Sequence, residues 1–212
     1  MKESNRDFYW RNATASDTNC KMIGWKFGAA NIVLSGIVVC NISGTGQVNL
    51  NNLPNNIPTN GTIEKLLIPE MHTIDREKIE HSNPNTPFRS HFSLPVMQKD
   101  KIIGHLYMGN AIEVAYNMAA PCCLHRGHKG YRLYWAYTEN ACTTRVFEKR
   151  TGATFSGEEK ETTEEYDLDF KPGLNFIKTE IIENYGTDQF KTKKHKVVSK
   201  MPSNAKYFFW KN

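Results

Sequence analysis

The sequence predicts an all-β domain, a sandwich or a barrel. Three observations carry this. Aromatic residues are plentiful, with nine Tyr and eleven Phe in 212 residues, and they favour strands. Short runs of β-branched and aromatic residues recur along the chain, separated by stretches rich in Asn, Pro and Gly. Only IEKLLIPEMHTIDREKIEH, residues 63 to 81, has room for helix. Many strands with long loops and little helix make a β-sandwich or barrel.

Taken in order, the residues up to about 20 are polar and read as an N-terminal arm on one domain spanning 1–212. NIVLSGIVVC (31–40) is bounded by glycines and rich in β-branched residues, which predicts one buried strand. QVNLNNLPNNIPTNGT (47–62) lacks an apolar face and predicts a long loop. IEKLLIPEM and IDREKIEH each suit a short helical turn, and SNPNTPF is loop again. KIIGHLYM (101–108) predicts a strand, and YRLYWAY (131–137) predicts the clearest one. Alternation sets Tyr131, Leu133, Trp135 and Tyr137 on its core face, with Arg132, Tyr134 and Ala136 turned away. CTTRVFEKR, YDLDF, NFIKTEII and AKYFFW continue the strand series.

The net charge of +5 permits a polyanionic partner without demanding one. Charge is unevenly spread: Glu158 to Asp169 holds seven acids and one lysine, and Lys191 to the C-terminus holds seven lysines and no acid. Each run reads as a solvated segment or an interaction tail, so 191–212 is expected to be a basic C-terminal segment. The five cysteines have no regular spacing, and the opening MKESNRDFYW is polar where a secretion signal is apolar. Free thiols in a reducing compartment are the expectation, with the sequons at Asn12, Asn41 and Asn60 unused. The apolar run Ala29–Cys40 is too short for a membrane-spanning helix, so no membrane insertion is expected.

PCCLHRGH is the densest cluster of chemically able side chains. Zinc takes its ligands as pairs at short spacing. Cys122 or Cys123 with His125 and His128 supplies one pair, but Cys20, Cys40 and Cys142 stand alone, so no second pair exists. A Cys-His nucleophile is conceivable here, yet the motifs of nucleophilic, metallopeptidase and phosphate-binding sites are missing. The expectation is no bound metal, no cofactor, no catalytic residue, and loop histidines leading into a strand.

His125-Arg126-Gly127, followed by Tyr131-Arg132 and approached through VAYNMAAPCCL, resembles the Arg-Gly entry to a late strand in capsid proteins of picorna-like RNA viruses. KFGAANIVLSGIVVCNISGTGQVNL, EEYDLDF and VVSKMPSNAKYFFWKN resemble other strands of that family, so the likeness spans roughly residues 23 to 212. The resemblance implies an eight-stranded jelly roll. It also implies a virion subunit, made in the host cytoplasm, packed with related subunits into an icosahedral shell around RNA. A host receptor would be a further partner. Lys191, Lys193, Lys194 and Lys196 would face the genome or an acidic patch such as 158–169 on a neighbour, and both terminal segments would be ordered by neighbouring chains. A second reading is a soluble β-sandwich binding or attachment module of lectin-like kind. Trp10, Trp25, Trp135 and Trp210 are its candidate aromatic residues, although their strand contexts place each in a core. A Cys-His enzyme or metalloprotein at 122–128 is the third.

Overall fold

The computed structural model describes residues 8–13, 19–21, 26–34, 36–49, 57–66, 74–91, 93–111, 114–115, 127–153, 157–186, 189–199 and 201–211. Across them the protein is all-β. Helix among the described residues is one turn at Ile63–Leu66 and a 3-10 turn at Arg76–Lys78, both where the sequence left room for it, together with Val114 and Ala115, where it did not. Asp75 caps the second, its Oδ1 accepting from the Glu77 N–H at 3.1 Å.

Among the described residues sixteen strands join one hydrogen-bonded sheet that folds over on itself, twice the number expected. One half holds β1 (Phe8–Ala13), β2 (Asn19–Lys21), β3 (Ala30–Leu34), β4 (Ile37–Ile42), β5 (Gln47–Asn49), β9 (Leu94–Gln98), β10 (Lys101–Gly109) and β16 (Ala205–Lys211). Its order is β2-β5-β4-β3-β9-β10-β16-β1. The other half holds β6 (Gly61–Thr62), β7 (Glu80–His81), β8 (Pro87–His91), β11 (Gly130–Thr138), β12 (Cys142–Ala153), β13 (Glu159–Phe170), β14 (Gly173–Asn184) and β15 (Phe190–Val198). Its order is β6-β8-β11-β14-β15-β13-β12-β7. Among the described residues six of the fifteen ladders join strands consecutive in the chain, the rest are long-range, and β13 with β15 is a parallel pair.

The halves meet at a corner where Met108 and Gly109 of β10 pair with Leu133 and Arg132 of β11. Asn110 closes it, its side-chain oxygen accepting from the Tyr131 N–H at 2.8 Å while its own N–H donates to the Tyr131 carbonyl. Folding at this corner lays one face of β11 on the first half. Tyr131, Leu133, Trp135 and Tyr137 pack there with Ile32, Leu34, Leu94, Leu106, Tyr207 and Phe209, the face assignment that alternation predicts.

The other face of β11 departs from expectation. Arg132 is 2% exposed, and Tyr134 and Ala136 belong to a second core with Phe88, Val146, Tyr166, Leu168 and Ile177. The second half curls so that β8, β12 and β13 cover this face, leaving β11 buried on both sides. Periodicity in one strand marks two faces but cannot say that both are covered.

NIVLSGIVVC is not one strand but the β3–β4 hairpin, turning at Gly36 with φ 82°, a backbone conformation open to glycine. The acidic run is β13 and the basic run is β15, two strands of the second half. Neither terminal segment depends on a neighbouring chain for its pairing, since β1 pairs with β16 and β16 with β10 inside one molecule.

Candidate functional site

The acidic and basic runs meet inside the molecule. Parallel pairing sets Glu164 beside Lys193, Glu165 beside Lys194 and Asp167 beside Lys196. On the curled inner face Glu164 Oε1 accepts from three donors: Lys193 Nζ at 2.7 Å, His195 Nε2 at 3.0 Å and the Tyr166 hydroxyl at 3.0 Å. His195 stacks on the Tyr166 ring at 3.7 Å, and its Nδ1 lies 2.9 Å from Thr179 Oγ1. Arg132 sits over the Tyr134 ring at the same inner face. The strands place these side chains by register, since Arg132 opposes Thr179, Thr179 opposes His195 and His195 opposes Tyr166.

Burial pushes the Glu164 carboxyl upward, but the Lys193 ammonium and the His195 hydrogen bond overcome this and hold it well below the usual carboxylate range. Burial pulls His195 down to about 4 despite the carboxylate beside it, with Lys193 and Arg132 adding to the fall. A neutral imidazole facing a carboxylate carries its proton on Nε2 and accepts the Thr179 O–H at Nδ1. The hydroxyl–imidazole–carboxylate order is that of a nucleophile, base and orienting acid. Thr179 and His195 are each 1% exposed, however, so no reactant reaches that hydroxyl in this conformation. The network ties β11, β13, β14 and β15 together.

The lysines expected to meet RNA are therefore spread over different surroundings. Lys193 is buried on Glu164 and does not face a partner; the curl of the sheet encloses it. Lys194 is 34% exposed and pairs with Glu165 at 2.6 Å, and Lys191 pairs with Glu183 at 2.9 Å. Lys196 is exposed. Cys122, Cys123, His125, Arg126 and Trp25 lie outside the described residues. His128 is half-buried, and Cys40 and Cys142 are buried free thiols. Among the described residues no group of three or more His, Cys, Asp or Glu is set to hold a metal ion. Gly127 serves close approach, because a Cβ there would meet the backbone of Gln189; the glycine that turns the chain into β11 is Gly130, at φ 138°.

A different surface gathers aromatic side chains at the outside. Leu106, Met108, Tyr207 and Phe209 point into the first core, so alternation turns His105, Tyr107, Phe208 and Trp210 outward. His105 pairs directly with Trp210 and Tyr107 with Phe208. Tyr107, His105 and Trp210 are partly exposed, whereas Phe208 is 5% exposed. Trp210 is thus not a core residue, whereas Trp135 is. Trp10 stands opposite Phe208 in the β1–β16 ladder. Sequence reasoning read AKYFFW as one closing strand without dividing its faces; the signal was its alternation, Lys206, Phe208 and Trp210 against Tyr207 and Phe209. Compared with known protein families, curated proteins and solved structures, the chain matches none.

Proposed function

We propose that this protein is a self-supporting β-sandwich binding or attachment module that acts through its outer sheet face and not by catalysis. The observation that carries the reading is the grouping of the partly exposed His105, Tyr107 and Trp210 on adjacent strands β10 and β16. Two further features support it. The terminal strands pair within the chain, so the fold needs no neighbour to complete those ladders. The charged runs meet each other in two ion pairs, Lys193 with Glu164 and Lys194 with Glu165. Sedimentation velocity with negative-stain imaging tests it: a monomer or small oligomer is expected.

A capsid subunit with a jelly-roll core is the second reading, favoured by an apolar side chain left for a neighbour. Phe147 on β12 is 60% exposed, and from Val146 onward β12 has no ladder partner on its outer edge among the described strands. Shell-sized particles in the same experiment replace the first reading with this one.

A further inference from the structure

β12 is a long strand with a bare outer edge. It pairs with β13 over its whole length without a bulge, and it contains no proline. On its other side β7 ends at Glu80, opposite Arg145, and among the described residues nothing pairs with that edge from Val146 onward. The Ser82 N–H donates to the Thr143 carbonyl at 3.1 Å, so Thr143 turns its backbone groups toward β7. Alternate residues of an antiparallel strand turn the same way. Phe147, Lys149 and Thr151 therefore present N–H and C=O to the free edge. Arg150 faces the other way, its carbonyl accepting from Thr162 Oγ1 of β13 at 3.5 Å. Natural sheets blunt such edges with proline, bulges or lysine. Between Val146 and Ala153 the one such device is Lys149, and Glu161 already holds its ammonium at 2.9 Å.

We propose that this edge pairs antiparallel with the same edge of a second copy of the chain, about a two-fold axis at Lys149. Backbone edges are self-complementary, and the side chains choose the register. A centre at Phe147 or Glu148 drives the second strand into β7, which already occupies Arg145. A centre at Arg150 sets two arginines against each other at a close, non-hydrogen-bonded position. A centre at Thr151 ends the ladder at Lys149, short of Phe147, which is 60% exposed. With the centre at Lys149 the ladder runs from Val146 to Gly152, and Ala153 alone turns aside from β7. Phe147 then lies opposite Thr151 of the second copy, and Glu148 opposite its Arg150, twice by symmetry. Arg150 has no ion pair within one chain among the described residues, so this contact gives it a carboxylate. Two Lys149 side chains meet at the axis, each with its own Glu161 beside it. An isologous contact of this kind closes at two copies. The inference goes beyond the binding-module reading and is independent of it, since it uses the other half of the sheet.

Sedimentation equilibrium of the full chain from about 1 to 500 µM tests it, with a reversible monomer–dimer equilibrium in the micromolar range expected from so short a ladder. Thr151→Pro removes an outward N–H that the β12–β13 ladder does not use, and should weaken the dimer by about tenfold or more. Arg150→Glu sets like charges opposite Glu148 and should do the same, whereas Arg150→Lys should stay within about twofold. Lys149→Thr removes the repulsion at the axis and should tighten the dimer. Lys149→Cys should give a disulfide-linked dimer on mild oxidation, above the level of the parent chain, because a hydrogen-bonded pair sets its Cα atoms about 5.5 Å apart. Circular dichroism of each variant shows that the fold is kept. A chain that stays monomeric throughout overturns the inference and leaves the module reading in place. A dimer indifferent to both Thr151→Pro and Arg150→Glu, or one that Lys149→Cys does not cross-link, overturns it as well. Shell-sized particles overturn both.

Discussion

The Lys193 ammonium lies 2.7 Å from Glu164 Oε1, with the two side chains 4% and 10% exposed, on strands that run parallel. Two residues taken from opposite charge runs of the sequence thus form an interior ion pair. Removing one partner leaves a buried uncompensated charge, which costs about 3–5 kcal/mol, whereas replacing both with apolar groups is often near neutral. Glu164→Gln and Lys193→Met should therefore each destabilise strongly in urea unfolding, and Glu164→Leu with Lys193→Met should cost clearly less than the sum. Additive losses would show that the pair is not a coupled unit.

Stability should fall with acid. His195 takes its proton at about 4 in the fold but near 6.5 when unfolded, so between those values the unfolded chain binds more protons. Glu164, held low in the fold, adds a loss of the same sign as pH drops below its ordinary value of 4.5. Protonated His195 would be favoured by Glu164 and opposed by the charges of Lys193 and Arg132. Urea midpoints measured from pH 7 to pH 4 should decline, and His195→Gln should flatten the decline in part. His91, lowered to about 4 by burial and the nearby Arg89, and His81 and His105, lowered by burial, contribute to the remainder.

Trp135→Ala should cost roughly 3–5 kcal/mol by opening a cavity in the first core. Arg132→Ala should also destabilise by an amount of the same order, because its side chain is buried against Tyr134. Arg132→Met restores much of the packing, so the difference between the two Arg132 variants separates the charge from the stem. Chemical denaturation of the three variants gives the comparison.

Gly104→Ala should loosen the closing strand. A Cβ at Gly104 would meet the Trp210 carbonyl and the Phe209 ring at 2.6 Å, and neither backbone nor core ring yields cheaply. The expected outcome is faster proteolysis near the C-terminus and increased amide exchange in β16 and β1, with β12–β13 protection unchanged.

Chelation should leave the protein folded. The sequence offers one pair of zinc-type ligands where a structural site needs two, so EDTA should not shift the melting transition and elemental analysis should find no stoichiometric zinc. About one zinc per chain, lost together with structure, would sink that reading of residues 122–128.

The sequence by itself determined the β class, the strands at 101–108, 131–137, 142–150 and 205–210, and the core face of β11, because these follow from local propensity and a period of two. It read the segment from Lys191 and the run from Glu158 to Asp169 as solvated or partner-binding charge, with only YDLDF marked as strand, since charge in a single strand carries no record of its partner. Glu164, Tyr166, Leu168 and Phe170 alternate in the sequence, and in β13 all four are buried. What the sequence could not state is that β15 would return alongside β13 and bring Lys193 and His195 to Glu164. Only the tertiary structure decided this. Pairing across the sheet is a long-range choice, made by the curl that buries both faces of β11, and the same folding gathers His105, Tyr107 and Trp210 from strands about a hundred residues apart into one outer face.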